Sequence, residues 1–445
     1  MLVGAIFAFI GVFSWNSVEL QVDAVAIVVL GTLSYVGGGF LARLFLKRRR
    51  ERQEKDSGVS RSAISTVSTD AKKRLLAAVM PFHIKTWKLI VFLVILLIAA
   101  VIRICETTRL GLDSGIQFSN YMELAQWVRW TYAPLFSEES VHFGVGYSFI
   151  ARQMLKVLFV GGYLSSIYLG FSFRKKDYRK ETGFFVACFV LCCLTTFLEG
   201  ERATIFGYFV AILVASFIGD IRSGKSAAQL SISYGRVIVI AAVVGIAVFY
   251  VLGLLIGRVG SSGPVEYVTF YFGCGIPSLQ IALDSGLNLS AYPGSQTFAG
   301  IFDMLYKLYI LPTPDSGLSQ FVTLGSHVSN IFTQYFRYFS DFGYVGVIVF
   351  PLLSSIVLTL CYTCTVKTRI SCLVLLYPTI CGYVVDQVRD AFVFNVLLSV
   401  SWLVSFVLLA LAAFLLHDQG TQWIARQAKN AAGTFSKNKG KSVLK

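Results

Sequence analysis

The chain has 445 residues, of which 56% are hydrophobic and only 14% charged, and its mean hydropathy is +0.69. This composition excludes a soluble globular protein and predicts a polytopic integral membrane protein. Because lipid offers no hydrogen-bond partner to open backbone, the spans are expected to be helices and the fold class all-α.

The apolar stretches, cut at charges and turn residues, predict about ten membrane-spanning helices. They lie near residues 1–14, 24–46, 89–110, 146–173, 182–198, 203–219, 236–256, 344–364, 371–385 and 391–416. The first begins without a basic segment and has no small-residue cleavage site, so we interpret it as a retained span and not as a signal peptide. The ninth is short enough to be tilted or partly re-entrant.

The basic residues are concentrated on one side of this predicted topology. Segments 47–88, 174–180, 220–236, 365–370 and 417–445 together hold 28 of the 39 lysines and arginines. By the positive-inside rule this side is cytoplasmic, and both termini lie there. The formal net charge of +15 is therefore interpreted as a topological asymmetry and not as a nucleic-acid-binding surface. We expect the basic face to adsorb to anionic lipid.

The nine cysteines are scattered along the chain. Cys361 and Cys364 form a CxxC, but no second pair or nearby histidine completes a metal site, so apolar packing is the favoured interpretation. Cys105 and Cys274 both lie outward and could pair, although the sequence does not show that they meet. We find no nucleotide-binding loop, no metalloprotease motif and no strong internal repeat, and we expect neither cofactor nor metal.

Two segments on the side opposite the basic face are long enough to form a site. In the first, 111–145, the apolar residues of NYMELAQWVRWTYAPLF predict a helix in the outer interface, with Glu123 and Arg129 on its wet side. An aromatic belt at the membrane surface explains these residues without any catalysis. The second, 257–343, is the larger extracytoplasmic loop, and its aromatic, Gly and Pro content predicts short pieces folded back on the membrane.

Several basic residues lie at the outward ends of the predicted spans. Arg202, in the EGER turn, and Arg258, after the seventh span, belong at the outer lipid–water boundary. Arg152 and Lys156 are four residues apart and share a helix face in the fourth span. Each could simply extend its charge to water. If several converge, they form a cationic pocket suited to a diphosphate, which arginine binds through its planar donor fork.

Three motifs of the second outward segment resemble those of a known family. YFGCGIPSLQ from Tyr271, PGSQTFAGI from Pro293 and SNIFTQYFRYFSDFGYVG from Ser329 follow one another in one long loop before a span. In this order they resemble the oligosaccharide repeat unit polymerases, the Wzy-type O-antigen and capsule polymerases. The last motif is the most specific, because these residues fall at the family's spacing: Asn330, Thr333, Asp341, Phe342, Gly343 and Gly346. Phe332 stands where a Tyr is expected, so a hydroxyl at that position is not essential here.

The resemblance implies glycosyl transfer on the outer face of a bacterial inner membrane, by a helical membrane domain related to the GT-C glycosyltransferase plan. A growing glycan would move from its undecaprenyl diphosphate to a sugar hydroxyl of the next lipid-linked repeat unit. The expected partners are these lipid-linked glycans, the bilayer, a chain-length regulator and a flippase. The leaving diphosphate needs fixed cations, and the acceptor hydroxyl needs a base or an orienting acceptor.

We therefore predict a catalytic set around the outer loop. Arg202, Arg258 and Arg337 are assigned to the diphosphate. Asp341 is the first choice for the base or the acceptor-orienting group. It follows Arg337 by four residues, however, and in a helix the two could instead form a structural ion pair.

His327 is the other conventional base, because histidines titrate near neutral pH, although a lone histidine is more often a bystander. Asn330 and Thr333 are candidates for hydrogen bonding or for starting a helix. Tyr271 and Arg152 complete the predicted substrate-binding residues at the outer side of the spans.

The turn between the last two predicted spans contains Asp386, Arg389 and Asp390, and it faces the same compartment as the outer loop. These residues either complete a substrate groove or only punctuate the two helices. The second interpretation is favoured, but Arg389 is kept as a candidate for substrate binding.

Two other functions are alternatives to the polymerase. A flippase or exporter of lipid-linked sugars predicts polar residues deep inside many spans, whereas here the polar residues are concentrated in the outer loop. An O-antigen ligase, which moves finished polymer onto lipid A core, has a similar plan of helices with one large outer loop. The acceptor, a lipid-linked repeat unit or lipid A core, distinguishes the polymerase from the ligase.

Overall fold

A computed structural model describes most of the chain. The described residues are 22–56, 84–132, 146–172, 179–199, 201, 203–223, 225, 227–255, 263–286, 292–311, 322–325, 327–329, 331–367, 371–386 and 392–416. The predicted first span and the basic tail 417–445 lie outside them, as does most of the basic loop 47–88.

The described residues form helices almost throughout, with one short antiparallel hairpin. Up to residue 255 the helices are α1 (Val22–Asp56), α2 (Thr86–Asp113), α3 (Tyr121–Tyr132), α4 (Phe149–Ser172), α5 (Arg179–Leu198), α6 (Ala203–Arg222) and α7 (Ala227–Leu255). Beyond it lie α8 (Pro264–Gly273), α9 (Gly275–Asp284), α10 (Ala299–Lys307), β1 (Val322–Leu324), β2 (His327–Ser329), α11 (Gln334–Lys367), α12 (Ser371–Asp386), α13 (Phe392–Leu397) and α14 (Val400–Leu416). In the hairpin, Thr323 pairs with Val328.

Within the described residues, seven helices are long and apolar enough to cross a membrane: α1, α2, α4, α5, α6, α7 and α11. Two shorter apolar stretches, Leu373–Val384 and Val400–Leu416, lie in α12 and α14. The chain is thus an all-α polytopic membrane protein. Each predicted span from the second to the ninth overlaps one of these helices, and the tenth overlaps α13 and α14. Only seven of the helices are long enough to count as spans, so the expected number of ten is not established.

The last predicted span, 391–416, is not one continuous helix. It is divided between α13 and α14, and Ser399 lies at the division. The Ser399 side-chain oxygen accepts a hydrogen bond from the backbone N–H of Trp402 at 3.2 Å. A serine in this position caps the start of a new helix, which explains why the apolar stretch is interrupted.

Two basic side chains contact helix ends on one side of the bundle. At the start of α2, the Lys88 ammonium donates to the carbonyls of Leu415 and Leu416, at 3.1 and 3.2 Å. At the end of α6, the Arg222 guanidinium donates to the carbonyl of Thr365 near the end of α11. Both cations satisfy carbonyls that a helix end leaves without an intrahelical partner, and they oppose its partial negative charge. We call this end of the bundle the basic end. The opposite end, which contains the three sequence motifs, is called the motif end.

The bundle packs around α4, most of whose second half is buried against α2, α5, α6, α12 and α14. The other close pair is α1 with α11. A β-carbon at Gly38 of α1 would overlap the carbonyl oxygen of Leu352, while one at the adjacent Gly37 would meet nothing within 4 Å. Small residues let two membrane helices approach closely, and Gly38 is where α1 does so.

The predicted helix in 111–145 is present as α3, but its apolar face packs on protein. Val128 is fully buried, and Leu124 lies against Gly111 at the end of α2. Glu123 is exposed, as expected, and accepts hydrogen bonds from the side chain and backbone of Ser119. These bonds hold the pKa of the Glu123 carboxyl below its ordinary value. Residues 133–145 and the Arg129 side chain lie outside the described part.

The predicted outer loop 257–343 contains α8, α9, α10 and the hairpin, as short pieces. Its last ten residues, however, belong to α11, which begins at Gln334 and not at the predicted 344. The predicted boundary falls on a real break: Gly343 has φ 59° and ψ −148°, and the helix kinks there. Arg337 and Asp341 therefore lie in the helical part of α11 that precedes the kink, and not in a loop.

Candidate functional site

The three sequence motifs of the second outward segment pack together at the motif end. The Ser278 hydroxyl of α9 donates to the Ser329 hydroxyl at 3.2 Å, which joins the first motif to the third. The Phe270 ring lies 4.9 Å from the His327 ring, centroid to centroid. Leu279 of α9 belongs to the same buried cluster as Phe336 of α11. Segments separated by more than fifty residues therefore form one compact unit, which we call the motif cluster.

Asp341 joins the second motif to the third. One carboxylate oxygen accepts the backbone N–H of Thr297 at 2.6 Å, and the other accepts that of Gln296 at 3.3 Å. The turn before these residues contains Gly294 at φ 88°, a left-handed conformation that favours glycine. A carboxylate that accepts two backbone N–H groups fixes the segment that carries them.

Arg337 contacts the same segment as Asp341. Its Nη1 donates to the Gln296 side-chain oxygen at 2.9 Å. Because Arg337 and Asp341 are four residues apart on α11, both face the 293–297 segment. The Gln296 amide thus orients the partly exposed guanidinium. Whether Arg337 and Asp341 act as a structural ion pair stays one of the two interpretations of their spacing.

Several polar atoms in the motif cluster are buried without a hydrogen bond to any described residue. They are Ser295 Oγ, Thr297 Oγ1, Thr333 Oγ1 and Gln334 Oε1. All four residues are at most 6% exposed. Buried polar atoms are rarely left unpaired, since each costs about 1–3 kcal/mol unless water or a ligand satisfies it. Their concentration beside Arg337 and Asp341 marks this region as a candidate site for a polar ligand.

The backbone geometry of α11 explains why two positions of the third motif are glycine. Gly343 adopts the left-handed conformation that produces the kink in α11. A β-carbon on Gly346 would overlap the carbonyl oxygen of Tyr338, across that kink. The spacing of the two glycines thus follows from the kink, across which Gly346 lies against the backbone of Tyr338.

The remaining described candidates lie apart from the contacts of Asp341. His327 approaches Glu266 of α8 at 3.1 Å and is about one quarter exposed. Tyr271 packs against Tyr267, with ring centroids 4.8 Å apart. Arg152 is exposed in the first turn of α4.

Four predicted site residues lie outside the described part of the chain: Arg202, Arg258, Asn330 and Arg389. Asp390 does as well, and Asp386 ends α12. The predicted convergence of three arginines on a diphosphate is therefore not tested, and the assignment of those residues stays a prediction. Lys156, which shares the Arg152 face, donates to Gln153 at 3.2 Å.

The sequence analysis missed a buried ion pair at the motif end. The Arg103 guanidinium of α2 donates to the Glu199 carboxylate at 2.7 Å, and both side chains are less than 10% exposed. It also stacks over the Tyr147 ring, 3.8 Å from its centroid. Burial raises the pKa of Tyr147 even though the adjacent Arg103 opposes the shift. An arginine inside the apolar run of α2 was the available signal.

The expected possibility of a disulfide between Cys105 and Cys274 is wrong in this structure, where neither is disulfide-bonded. Cys105 is exposed on α2, whereas Cys274 is buried between α8 and α9. Cys361 and Cys364 lie one turn apart in α11 and are not joined in a disulfide either. Within the described residues, no three His, Cys, Asp or Glu side chains are grouped so that they could hold a metal ion.

Comparison of the chain with protein-family models, curated proteins and solved structures finds no match in any of the three. The fold and the site together define the class: a polytopic α-helical membrane protein with a polar cluster built at one end of its helices. Any narrower assignment depends on the chemistry of that cluster.

Proposed function

We propose that this protein polymerises oligosaccharide repeat units carried on undecaprenyl diphosphate, as an enzyme of O-antigen or related surface polysaccharide synthesis. The observation that carries the proposal is the motif cluster. The three segments that resemble polymerase motifs are held together by Ser278 with Ser329, by Asp341 with Thr297 and by Arg337 with Gln296. Because the three segments contact one another, they support a single shared site for the three motifs.

The chemistry needs cations at the diphosphate and an orienting group at the acceptor hydroxyl. Arg337 is supported for the first role because Gln296 fixes the orientation of a partly exposed guanidinium. Arg202 and Arg258 are proposed to supply further donors. The carboxylate of Asp341, with a backbone N–H on each oxygen, supports a positioning role that holds the 293–297 segment beside Arg337.

In this proposal the motif end faces the periplasm and the basic end faces the cytoplasm, in a bacterial inner membrane. The charge asymmetry of the chain supports this orientation. The contacts of Lys88 and Arg222 also support it, because they bring the ends of four helices together at the basic end. The finer expectations belong here too: ten spans with both termini inside, and a plan related to the GT-C glycosyltransferases. A chain-length regulator and a flippase would be its partners.

The test is reconstitution of the purified protein in liposomes with the host's undecaprenyl-diphosphate repeat unit, without nucleotide sugar or ATP. A ladder of products spaced by one repeat unit on a gel is expected. Unchanged substrate that becomes accessible across the bilayer would instead indicate a flippase. Transfer only when lipid A core is added would indicate a ligase. Either result would overturn the polymerase.

A further inference from the structure

The first two turns of α4 present two cations on one face of the helix. Residues three or four positions apart share a helix face, and this face begins with Phe149, Arg152, Gln153 and Lys156. The Lys156 ammonium donates to the Gln153 side-chain oxygen at 3.2 Å, which directs it towards the start of the helix. The Arg152 guanidinium makes no hydrogen bond or ion pair with any residue that the structure describes. Helix α4 itself contains no acidic residue that would neutralise the two charges.

This cationic pair lies at the motif end of the bundle. Helix α2 starts at the basic end with Lys88, and Arg103, about 22 Å farther along the same helix, donates to the Ala151 carbonyl at 3.4 Å. The start of α4 is therefore at the same end as Arg337. The two positions belong to different parts of the bundle, because α4 packs mainly on α2, α5, α6 and α14, whereas α11 packs mainly on α1.

The open part of this face is confined to the first two turns of α4. Phe149 is 68% exposed, whereas Val160 and Tyr163, which continue the same face, are only 4% and 2% exposed. Protein therefore covers the deeper part of the face, and only its beginning is accessible from lipid. A phosphate at the membrane surface can reach the two cations there, while an apolar chain attached to it lies beside the Phe149 ring.

The carboxylates that approach the start of α4 bind other groups. Glu106 accepts the backbone N–H of Ser148, just before α4, and two carboxylates of the α5–α6 turn line a cavity together with Leu155. Each has a partner of its own: Glu106 with Arg109, Glu199 with Arg103 and Glu201 with the Thr204 hydroxyl. Arg202 belongs to the same turn as the last two and adds a further cation to this region, although it lies outside the described residues. The charges of Arg152 and Lys156 are thus left for an external anion.

The charge of the patch selects the kind of anion. Two like charges four residues apart on a helix repel each other, and cations within a membrane-spanning helix are costly. Both costs fall when an anion binds to the pair. The β-carbons of such a pair are about 6 Å apart, so the two side chains can contact neighbouring phosphates of one molecule. A lipid-linked diphosphate carries a negative charge on each of its two phosphates, whereas the phosphodiester of a common phospholipid carries one. The diphosphate therefore matches the patch better.

We propose that Arg152 and Lys156 bind the diphosphate of the acceptor lipid, the repeat unit whose sugar hydroxyl receives the growing chain. The inference rests on the proposed function, in which each transfer brings two lipid diphosphates to the protein. The bond between the anomeric carbon of the growing glycan and the donor diphosphate breaks, and its electron pair leaves with that diphosphate. The same carbon bonds to the acceptor oxygen, whose proton passes to a base. The acceptor keeps its own diphosphate, which has to be bound but not cleaved, and a site apart from Arg337 suits this need.

The test counts the lipids bound to the full-length protein by native mass spectrometry from phosphatidylcholine nanodiscs. The probe is undecaprenyl diphosphate at increasing concentration. We expect two molecules on the native protein and one on the double variant Arg152→Gln with Lys156→Gln. The matched control is Arg109→Gln, an arginine of the same end that already has carboxylate partners, and it should still bind two. Arg337→Ala should bind one, and the three substitutions together should leave none.

Two further measurements separate the site from misfolding and from general lipid binding. Arg152→Lys with Lys156→Arg keeps both charges, so it should still bind two molecules. The melting temperature of the neutral double variant should be unchanged, because within the described residues these two side chains bond only to Gln153. Phosphatidylglycerol at the same concentration as the probe should not displace the second molecule. Its displacement would make the patch a general site for anionic lipid and overturn the proposal.

The liposome assay tests the role of the site in the reaction. The neutral double variant should raise the repeat-unit concentration for half-maximal polymer formation by about tenfold or more, because hydrogen bonds to a charged group are lost. The maximal rate should change by less than about twofold, since the acceptor diphosphate takes no part in bond breaking. Loss of the second diphosphate in a protein that forms no ladder would keep the binding site but overturn the polymerase and the acceptor role. A ladder with two diphosphates still bound to the double variant would overturn the site and leave the polymerase.

Discussion

The carboxylate of Asp341 accepts the backbone N–H of Thr297 at 2.6 Å, and this bond spans 44 residues of sequence. It fixes the distance between the part of α11 before the Gly343 kink and the segment that follows Tyr292. Since the second oxygen accepts the backbone N–H of Gln296, the carboxylate holds the second motif at two consecutive residues.

Asp341→Asn keeps the shape of the side chain but leaves only one acceptor oxygen. We expect the free energy of unfolding to fall by about 1–3 kcal/mol, because one buried N–H then faces an amide N–H. Polymer formation should fall only in proportion to the folded protein. Thermal denaturation and the liposome ladder are measured on the same preparation, with the exposed Asp303→Asn as control. Normal stability with no polymer would instead identify Asp341 as the base.

Arg337→Lys keeps the charge but replaces the donor fork with a single ammonium. If the guanidinium binds a diphosphate in the orientation set by Gln296, polymer formation should fall by about 100-fold or more, while the protein level in the membrane is unchanged. Arg337→Ala should have the same effect, as should alanine at Arg202 and at Arg258. The control is Arg109→Ala, a surface arginine paired with Glu106 and Asp113. Near-normal polymer in all three alanine variants would end the assignment.

Gly38→Ala and Gly37→Ala form a matched pair on adjacent residues of α1. The added methyl group at position 38 would overlap the Leu352 carbonyl, so α1 must move away from α11, at a cost of about 1–3 kcal/mol. At position 37 the methyl group meets nothing within 4 Å, and stability should be unchanged. The two melting temperatures in detergent check this. Equal melting temperatures would show that α1 does not pack against α11 through Gly38.

Arg103→Met leaves the buried Glu199 carboxylate without its guanidinium. We expect a loss of about 3–5 kcal/mol, as is typical when one partner of a buried pair is removed. The double variant Arg103→Met with Glu199→Leu should recover much of it, because no buried charge is then left. A double-mutant cycle by thermal denaturation measures the coupling. Additive losses in the two single variants and the double variant would show that the pair contributes little.

Hydropathy predicted the class of fold and the approximate position of nearly every described long helix, because lipid permits few alternatives to an apolar helix. It could not predict the start of α11 at Gln334, since the turn before Gly343 is polar and its helical state depends on packing against the segment 293–297. Nor could it predict the division at Ser399, where one side-chain cap interrupts an apolar run.

The candidate site was predicted in part. The order of the three motifs indicated the right region, and the third motif contained Arg337 and Asp341. Their contacts with Gln296 and Thr297 depend on a turn some forty residues earlier, and no pattern within either segment encodes that distance. The same holds for Arg103 with Glu199, whose partners come from different helices.

Lys88 donates to the carbonyls of Leu415 and Leu416, residues that follow it by 327 and 328 positions. A ribosome produces α2 long before α14, so this ammonium enters the bilayer boundary well ahead of these two acceptors. The bond can therefore form only after α14 has been synthesised and has docked beside α2, so the basic end is the last part of this helix pair to be completed. A chain truncated before α14 would therefore lack the two carbonyl acceptors that the Lys88 ammonium has in the complete bundle.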